Sequence, residues 1–290
     1  MRFLKTLFAA GLLTTSTAVA GTIVYGNNAS LDGTETIEAF DISTGAQVAN
    51  FIVPNLAANR NGRGIAVVGT TIYYSNASSG NVYKTNSVNH SDDGIAFNTN
   101  LNGIANIAFD GTALYVTGYN GTNNAYRYSL SGTLLQTVSG FGNSRDGFEV
   151  ANNNLIANRG DGESVYDLFK LDGTMLTSAF IDVKAKVTGF AGITTGITFD
   201  GTNYIISNPT AFDATTTKLL IFDTSGNYVR SQVLAGTPAG GQGRLLEDLS
   251  TLGNIPTNPP VTGTPEPVTF LLLGSGFAGI AVIRARALKT

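Results

Sequence analysis

The chain repeats two strand-like segments with a period of roughly 40 to 50 residues. One segment is a small-residue turn followed by an alternating strand, and it follows Gly64, Gly103 and Gly192. The other reads as a hairpin, with alternating apolar residues on both sides of a turn that ends in glycine, at 37–53, 125–139, 166–181 and 219–234. Two such pieces form a four-stranded unit. Repetition at this period predicts an all-β fold, a β-propeller whose blades are these units.

The two ends of the repeat region complement each other. Inner strands are expected to begin near Gly64, Ile104, Gly147, Gly192 and Leu245. No outer strands follow the last predicted inner strand, near Leu245, whereas the first hairpin has no inner strand before it. We therefore predict five blades, with ring closure by residues 245–252, since closure removes exposed sheet edges. Six blades and a β-sandwich are the alternatives. The loose repeats resemble NHL- and YVTN-type propellers.

Composition excludes several functions. Between Gly21 and Thr264 there are 12 Lys and Arg residues against 19 Asp and Glu residues, and an acidic domain is a poor partner for nucleic acid. The chain has no cysteine and one histidine, His90, in a polar segment that predicts a solvated side chain. A histidine- or thiolate-based metal site is thereby excluded. We predict no catalytic residue, no metal and no cofactor; the alternative is a hydrolase or lyase that uses carboxylates on extracellular carbohydrate.

Three predicted inner-strand starts carry arginine, namely Arg63, Arg145 and Arg244. Guanidinium groups around one opening would favour an anionic ligand such as a uronic acid. The alternative is that the arginines form inter-blade ion pairs with acidic residues close by in sequence, namely Asp146, Glu149, Glu247 and Asp248. Tyr119 and Phe212 lie in Asn/Gly/Ser-rich loops, where an aromatic ring can stack on a sugar. These five residues are the candidate ligand-binding set.

Asp-Gly-Thr occurs four times, at Asp32, Asp110, Asp172 and Asp200. Repeated aspartates suggest calcium, but none of the triplets has the neighbouring acidic residues of a calcium loop. Asp and Gly favour turns through Asx hydrogen bonds and positive φ. We predict that these residues form turns.

The N-terminus has the layout of a secretory signal peptide. Arg2 and Lys5 precede an apolar stretch, and Ala18 and Ala20 form a small-x-small cleavage site before Gly21. The pattern predicts export and cleavage by signal peptidase.

The C-terminus combines three features in a fixed order. Pro265-Glu266-Pro267 is followed by an uncharged run, 268–283, and then by Arg284 and Arg286. As a helix, this run would reach roughly 24 Å, so it spans a bilayer if the flanking residues adapt. The basic end favours a cytoplasmic C-terminus.

This tail resembles the PEP-CTERM sorting signal of Gram-negative bacteria. The resemblance implies processing by an exosortase, transient anchoring in the inner membrane, and then release to the outer surface or extracellular matrix. It also implies an association with exopolysaccharide and biofilm. The predicted domains are a signal peptide at 1–20, a propeller at 21–253, a Pro-rich linker at 254–264 and the sorting signal at 265–290. The predicted function is a secreted or cell-surface binding or matrix protein without enzymatic activity.

Overall fold

The computed structural model describes residues 22–29, 36–53, 61–119, 123–141, 146–160, 163–209, 215–237 and 243–252. The predicted signal peptide, the linker and the sorting signal, including the helix at 268–283, lie outside these residues. None of the helices in the described ranges qualifies as a membrane span.

In the described ranges, twenty strands form five antiparallel sheets of four strands each. Blade 1 contains β1 (Ile23–Asn28), β2 (Thr36–Asp41), β3 (Gln47–Ile52) and β20 (Leu246–Thr251). Blade 2 contains β4 (Gly62–Val68), β5 (Thr71–Asn76), β6 (Asn81–Asn86) and β7 (Asp92–Asn98). Blade 3 contains β8 (Ile104–Phe109), β9 (Leu114–Gly118), β10 (Asn124–Tyr128) and β11 (Leu134–Ser139).

Blade 4 contains β12 (Phe148–Ala151), β13 (Asn154–Asn158), β14 (Val165–Lys170) and β15 (Met175–Asp182). Blade 5 contains β16 (Ile197–Phe199), β17 (Asn203–Pro209), β18 (Thr216–Asp223) and β19 (Tyr228–Val233). A short helix, α1 (Val183–Lys186), follows β15. The innermost strands β20, β4, β8, β12 and β16 contact one another in this cyclic order, which makes the fold a five-bladed β-propeller.

Ring closure is as predicted. β20 pairs antiparallel with β1, with Gly26 opposite Leu249 and Asn27 opposite Asp248. The N-terminal blade thus receives its inner strand from the C-terminal end of the repeat region. The six-blade and β-sandwich alternatives are not observed.

Among the described residues, the apolar core is divided into five clusters, and each lies between two consecutive blades. Each blade contributes apolar residues to two clusters, because successive side chains of a strand point to opposite faces of the blade. In β4, Ile65 and Val67 pack toward blade 1, whereas Ala66 packs toward blade 3. The cluster across the seam joins Phe40 to Leu219 and Leu246, so closure buries the same kind of surface as the other blade contacts.

The fifth inner strand corrects one sequence prediction. It begins at Ile197, not near Gly192, where φ is +117° and an extended strand is interrupted. The chain just before the strand is held by polar contacts: Thr194 N–H donates to Ser164 Oγ at 3.0 Å. Gly196 then allows the backbone to approach Asp248, since a Cβ there would lie 2.7 Å from the Asp248 Cα.

Candidate functional site

Arg63, near the N-terminal end of the inner strand β4, contacts two other blades. Its Nη1 lies 2.8 Å from Glu247 Oε2 on β20 of blade 1. Its Nη2 donates a hydrogen bond of 3.2 Å to the Tyr119 hydroxyl, just after β9 of blade 3. The guanidinium carbon also lies 4.5 Å from the centre of the Tyr119 ring. We call Arg63, Tyr119 and Glu247 the Arg63 cluster; it joins three blades at the N-terminal ends of their inner strands.

The positive charge of the Arg63 cluster is balanced within the cluster. The Arg63 and Glu247 side chains are 11% and 7% exposed, and the Tyr119 side chain is half-buried. Among the described residues, the Arg63 Nε–H has no hydrogen-bond partner. An aromatic ring beside a compensated ion pair suits a ligand that stacks and hydrogen-bonds better than one bound by net charge.

Arg244 belongs to a separate, buried cluster. Its Nη2 lies 2.9 Å from Glu38 Oε2, and its Nε donates to the same oxygen at 3.0 Å. Nη2 also donates to the carbonyls of Ala235 and Gly236, and the guanidinium lies over the Phe40 ring at 4.8 Å. Burial raises the pKa of Glu38, and the bond from Arg244 acts in the opposite direction. Arg244 therefore joins blades 1 and 5 internally.

Arg63 thus pairs with Glu247, one of the acidic residues expected for ion pairing, whereas Arg244 pairs with Glu38, which the sequence did not indicate. Arg63 and Tyr119 are brought together. Arg145 and Phe212 lie outside the described residues, as do Ala18, Ala20, Gly21, Pro265, Glu266, Pro267, Arg284 and Arg286. Ligand binding by the five candidate residues stays a prediction.

Glu149 and Asp248 were expected as ion-pair partners of the arginines, but the structure places both as buried carboxylates at the ring axis, with backbone and hydroxyl donors. Asp248 Oδ2 accepts backbone N–H bonds from Ile65 at 3.0 Å and from Ile107 at 3.1 Å. Inner strands have no sheet neighbour on the axial side, so a carboxylate there satisfies N–H groups that would otherwise be orphaned. Burial raises the pKa of Asp248 well above its ordinary value, and the nearby charge of Glu149 adds to this.

Glu149 on β12 also accepts hydrogen bonds from neighbouring residues of the fold. Its Oε1 accepts from Val150 N–H at 2.7 Å, and its Oε2 accepts from the Thr198 hydroxyl at 2.8 Å. The available signal was acidic residues inside short buried strands, one in Phe148–Ala151 and two in Leu246–Thr251. A strand with both faces buried has no solvent for such a side chain, so an internal partner is required.

The Asp-Gly-Thr triplets form turns, as predicted, wherever the structure describes them. Asp110 accepts bonds from Thr112 and Ala113 N–H, both 2.8 Å. Asp172 and Asp200 accept from the backbone N–H two residues later. Burial acts to raise the pKa of Asp110, but bonds from Arg127 and Thr112 outweigh it and leave the pKa lowered. Asp32 lies outside the described residues.

His90 occupies a packing position that the sequence did not indicate. Its ring stacks on Phe51 of blade 1 with centroids 3.9 Å apart, and the residue is half-buried where a solvated side chain was expected. Across the described ranges, no group of three or more His, Asp and Glu side chains has the arrangement of a metal site.

No known protein family matches the sequence, and no curated protein matches it. A chain in a crystal structure of the nidogen/laminin complex is 12% identical with a TM-score of 0.53; the match covers 81% of this chain and 99% of that one. Glutaminyl cyclase from Myxococcus xanthus is 14% identical with a TM-score of 0.48, covering 60% and 70%. A protein of unknown function from Bacteroides caccae is 11% identical with a TM-score of 0.47, covering 80% and 98%. The first likeness concerns the fold alone, and with the sheet topology it identifies this chain as a five-bladed β-propeller.

Proposed function

We propose that this chain is an exported binding protein without enzymatic activity, which holds extracellular polysaccharide through the Arg63 cluster. The Arg63 guanidinium stacked on the half-buried ring of Tyr119 carries the proposal. The ring offers an apolar face to a pyranose, while the adjacent ion pair supplies donors and acceptors for hydroxyl groups. Because Glu247 already compensates the charge, neutral sugars suit the cluster better than uronic acids.

The proposed absence of enzymatic activity is supported by how the acidic residues are used. The axial carboxylates Asp248 and Glu149 are almost fully buried, and their oxygens accept bonds from backbone N–H groups and from Thr198. A general acid or base needs contact with the reacting group. Because these carboxylates already accept hydrogen bonds inside the ring, we propose that they stabilise the fold.

The proposal is tested by the binding of the full chain to a glycan array, followed by calorimetry with the best ligand. Tyr119→Ala removes the ring and is expected to weaken binding about tenfold, a loss of about 1.4 kcal/mol. Tyr126→Ala is the matched control, because Tyr126 is also half-buried in blade 3 but is not part of the cluster. Unchanged binding by Tyr119→Ala, or an equal loss in the control, contradicts the proposal.

The proposed cellular localisation is argued from the sequences of the two terminal segments. We propose cleavage by signal peptidase, transient anchoring in the inner membrane, and processing by an exosortase that delivers the propeller to the outer surface. Glu266→Ala is expected to leave the protein in the inner-membrane fraction, since the sorting motif would no longer be recognised. Fractionation and immunoblotting measure this, with Glu163→Ala as the control, and normal release of the Glu266 variant argues against the sorting signal.

A further inference from the structure

Asparagine is followed directly by glycine at three places in the chain, 61–62, 102–103 and 120–121. Such pairs are prone to spontaneous deamidation, because the glycine nitrogen attacks the asparagine Cγ and glycine has no side chain to obstruct the ring that forms. The reaction requires the peptide unit between the two residues to rotate. The structure describes the first two pairs, and it places them in different surroundings.

The first pair, Asn61-Gly62, is held in the sheet of blade 2. Asn61 is half-buried, its carbonyl accepts the Ala77 N–H at 3.1 Å, and Gly62 is the first residue of β4. Asn27 Oδ1 packs so closely against Gly62 that a Cβ there would clash with it. Rotation of the peptide unit between Asn61 and Gly62 would therefore break a hydrogen bond and disturb packed atoms.

The second pair, Asn102-Gly103, lies outside the strands. Asn102 is exposed in the segment that leads into β8, and Gly103 has a φ of +93°, a conformation that glycine adopts easily. Within the part of the chain that the structure describes, no backbone carbonyl accepts a hydrogen bond from the Gly103 N–H, whose nitrogen is the attacking atom. The reacting groups are therefore less restrained here than at Asn61.

We propose that Asn102 is a site of spontaneous deamidation. The Gly103 nitrogen attacks Asn102 Cγ, and ammonia leaves as a succinimide ring forms. Water then opens the ring at one of its two carbonyls, so that asparagine and water are converted to ammonia and either aspartate or isoaspartate. Both products carry a carboxylate in place of a neutral amide. In isoaspartate the chain runs through the former side chain, which adds one methylene to the backbone.

This deamidation site lies beside the Arg63 cluster. The Gly103 carbonyl accepts the Tyr119 N–H at 3.1 Å, and a Cβ at Gly103 would lie 3.3 Å from the Tyr119 Cβ. An extra backbone methylene between Asn102 and Gly103 displaces the carbonyl that holds Tyr119. Isoaspartate at this position is therefore expected to loosen the aromatic member of the cluster.

Peptide mapping by mass spectrometry of the full chain, kept folded in mildly alkaline buffer, measures the conversion of each asparagine. Asn102 is expected to convert about tenfold faster than Asn61. The same chain in urea is the control, because unfolding removes the hydrogen bond and the packing at Asn61, and the two rates should then converge. Equal rates in the folded chain, or a tenfold difference that persists in urea, overturn the proposal.

Amide hydrogen exchange tests the effect on Tyr119. After ageing, the Tyr119 N–H is expected to exchange about tenfold faster, which corresponds to an opening free energy lower by about 1.4 kcal/mol. Asn102→Gln is the matched control, since its longer side chain closes a ring far more slowly, and ageing should leave its Tyr119 exchange unchanged. Unchanged exchange in the deamidated wild type, or an equal increase in the control, contradicts the effect on Tyr119.

Freshly prepared Asn102→Asp separates the added charge from the longer backbone. It carries the carboxylate without the extra methylene, so its Tyr119 exchange should match that of the fresh wild type. Exchange as fast as in the aged wild type would contradict the role of the longer backbone. Neither mass spectrometry nor hydrogen exchange requires a glycan, so the deamidation site and the proposed function are tested separately.

Discussion

Aspartates at the turns and the aspartate at the ring axis are the same residue type in opposite environments. Asp172 is exposed, and its pKa is lowered mainly by the Thr174 N–H bond. Asp248 is fully buried, and its pKa is raised well above the ordinary value, mainly by burial. The turn aspartate accepts a bond from Thr174 N–H within its own turn, whereas the axial aspartate bonds to inner strands of two other blades.

This difference indicates which aspartate matters more for the stability of the ring. A turn aspartate can be lost with local consequences, because water replaces its bonds. The loss of Asp248 would leave backbone N–H groups unsatisfied on β4 and β8, at a place that water reaches poorly. Stability should therefore depend strongly on the axial residue and weakly on the turns.

The largest expected effect is that of Asp248→Ala. Orphaning the Ile65 and Ile107 N–H groups is expected to lower the free energy of unfolding by about 4 kcal/mol, at about 1–3 kcal/mol for each group plus the lost packing. Urea denaturation followed by circular dichroism measures this. Asp172→Ala is the control and should leave the midpoint almost unchanged; similar losses in both variants would show that the axis has no special role.

A second comparison sets the buried ion pair of Arg244 and Glu38 against the partly exposed pair of Arg127 and Asp110. Arg244→Ala leaves Glu38 buried without its partner and is expected to cost about 3 kcal/mol. Arg127→Ala removes the partner of Asp110. Because the Arg127 side chain is 25% exposed, this change should cost about 1 kcal/mol or less. Urea midpoints of the two variants are compared, and equal costs would contradict the difference in burial.

The pH dependence of the free energy of unfolding should have opposite signs for Asp248 and Asp172. At Asp248 this effect should be smaller than those of the truncations above, because the N–H bonds to Asp248 favour its charged form and oppose the effect of burial. Since the folded pKa of Asp248 is raised, its contribution is present below the unfolded pKa of about 4 and is lost as pH rises toward the folded pKa. Wild type should thus lose stability relative to Asp248→Asn as pH rises above about 4.

The opposite sign is expected for Asp172, whose folded pKa is lowered. Its contribution is present above about pH 4 and is lost as pH falls, so wild type loses stability relative to Asp172→Asn only on acidification. Urea denaturation of the three proteins across this range measures both differences. A difference between wild type and Asp248→Asn that does not change with pH would mean that Asp248 is not shifted as described.

Much of the fold was predictable because the repeats are local. The hairpin at 166–181 was recognised from its alternation and from Gly173, whose φ of +89° a turn glycine provides easily. The hairpin of blade 2 was missed because its turn has His90, with a φ of +57°, in place of that glycine. His90 is held there by stacking on Phe51 of the next blade, a contact that sequence alone does not reveal.

The candidate site was less predictable. Arg63 and Tyr119 were both singled out, but nothing in the sequence indicated that they meet, since the two residues lie in different blades. Arg244 looked equivalent to Arg63 in sequence, yet its partner Glu38 holds it inside the ring. The pairing of each arginine depends on which blades are neighbours.

By itself, the sequence determined the local structure, namely the alternating strands and the turns at Asp110 and Asp200. These follow from periodicity and turn chemistry, which act over a few residues. The count of repeats along the chain also predicted the number of blades and the closing strand at 245–252. Only the tertiary structure decided which polar groups share the axis and which ion pairs are buried. Asp248 is 183 residues from Ile65 and 141 from Ile107, and the closure of the ring alone brings them within hydrogen-bond distance.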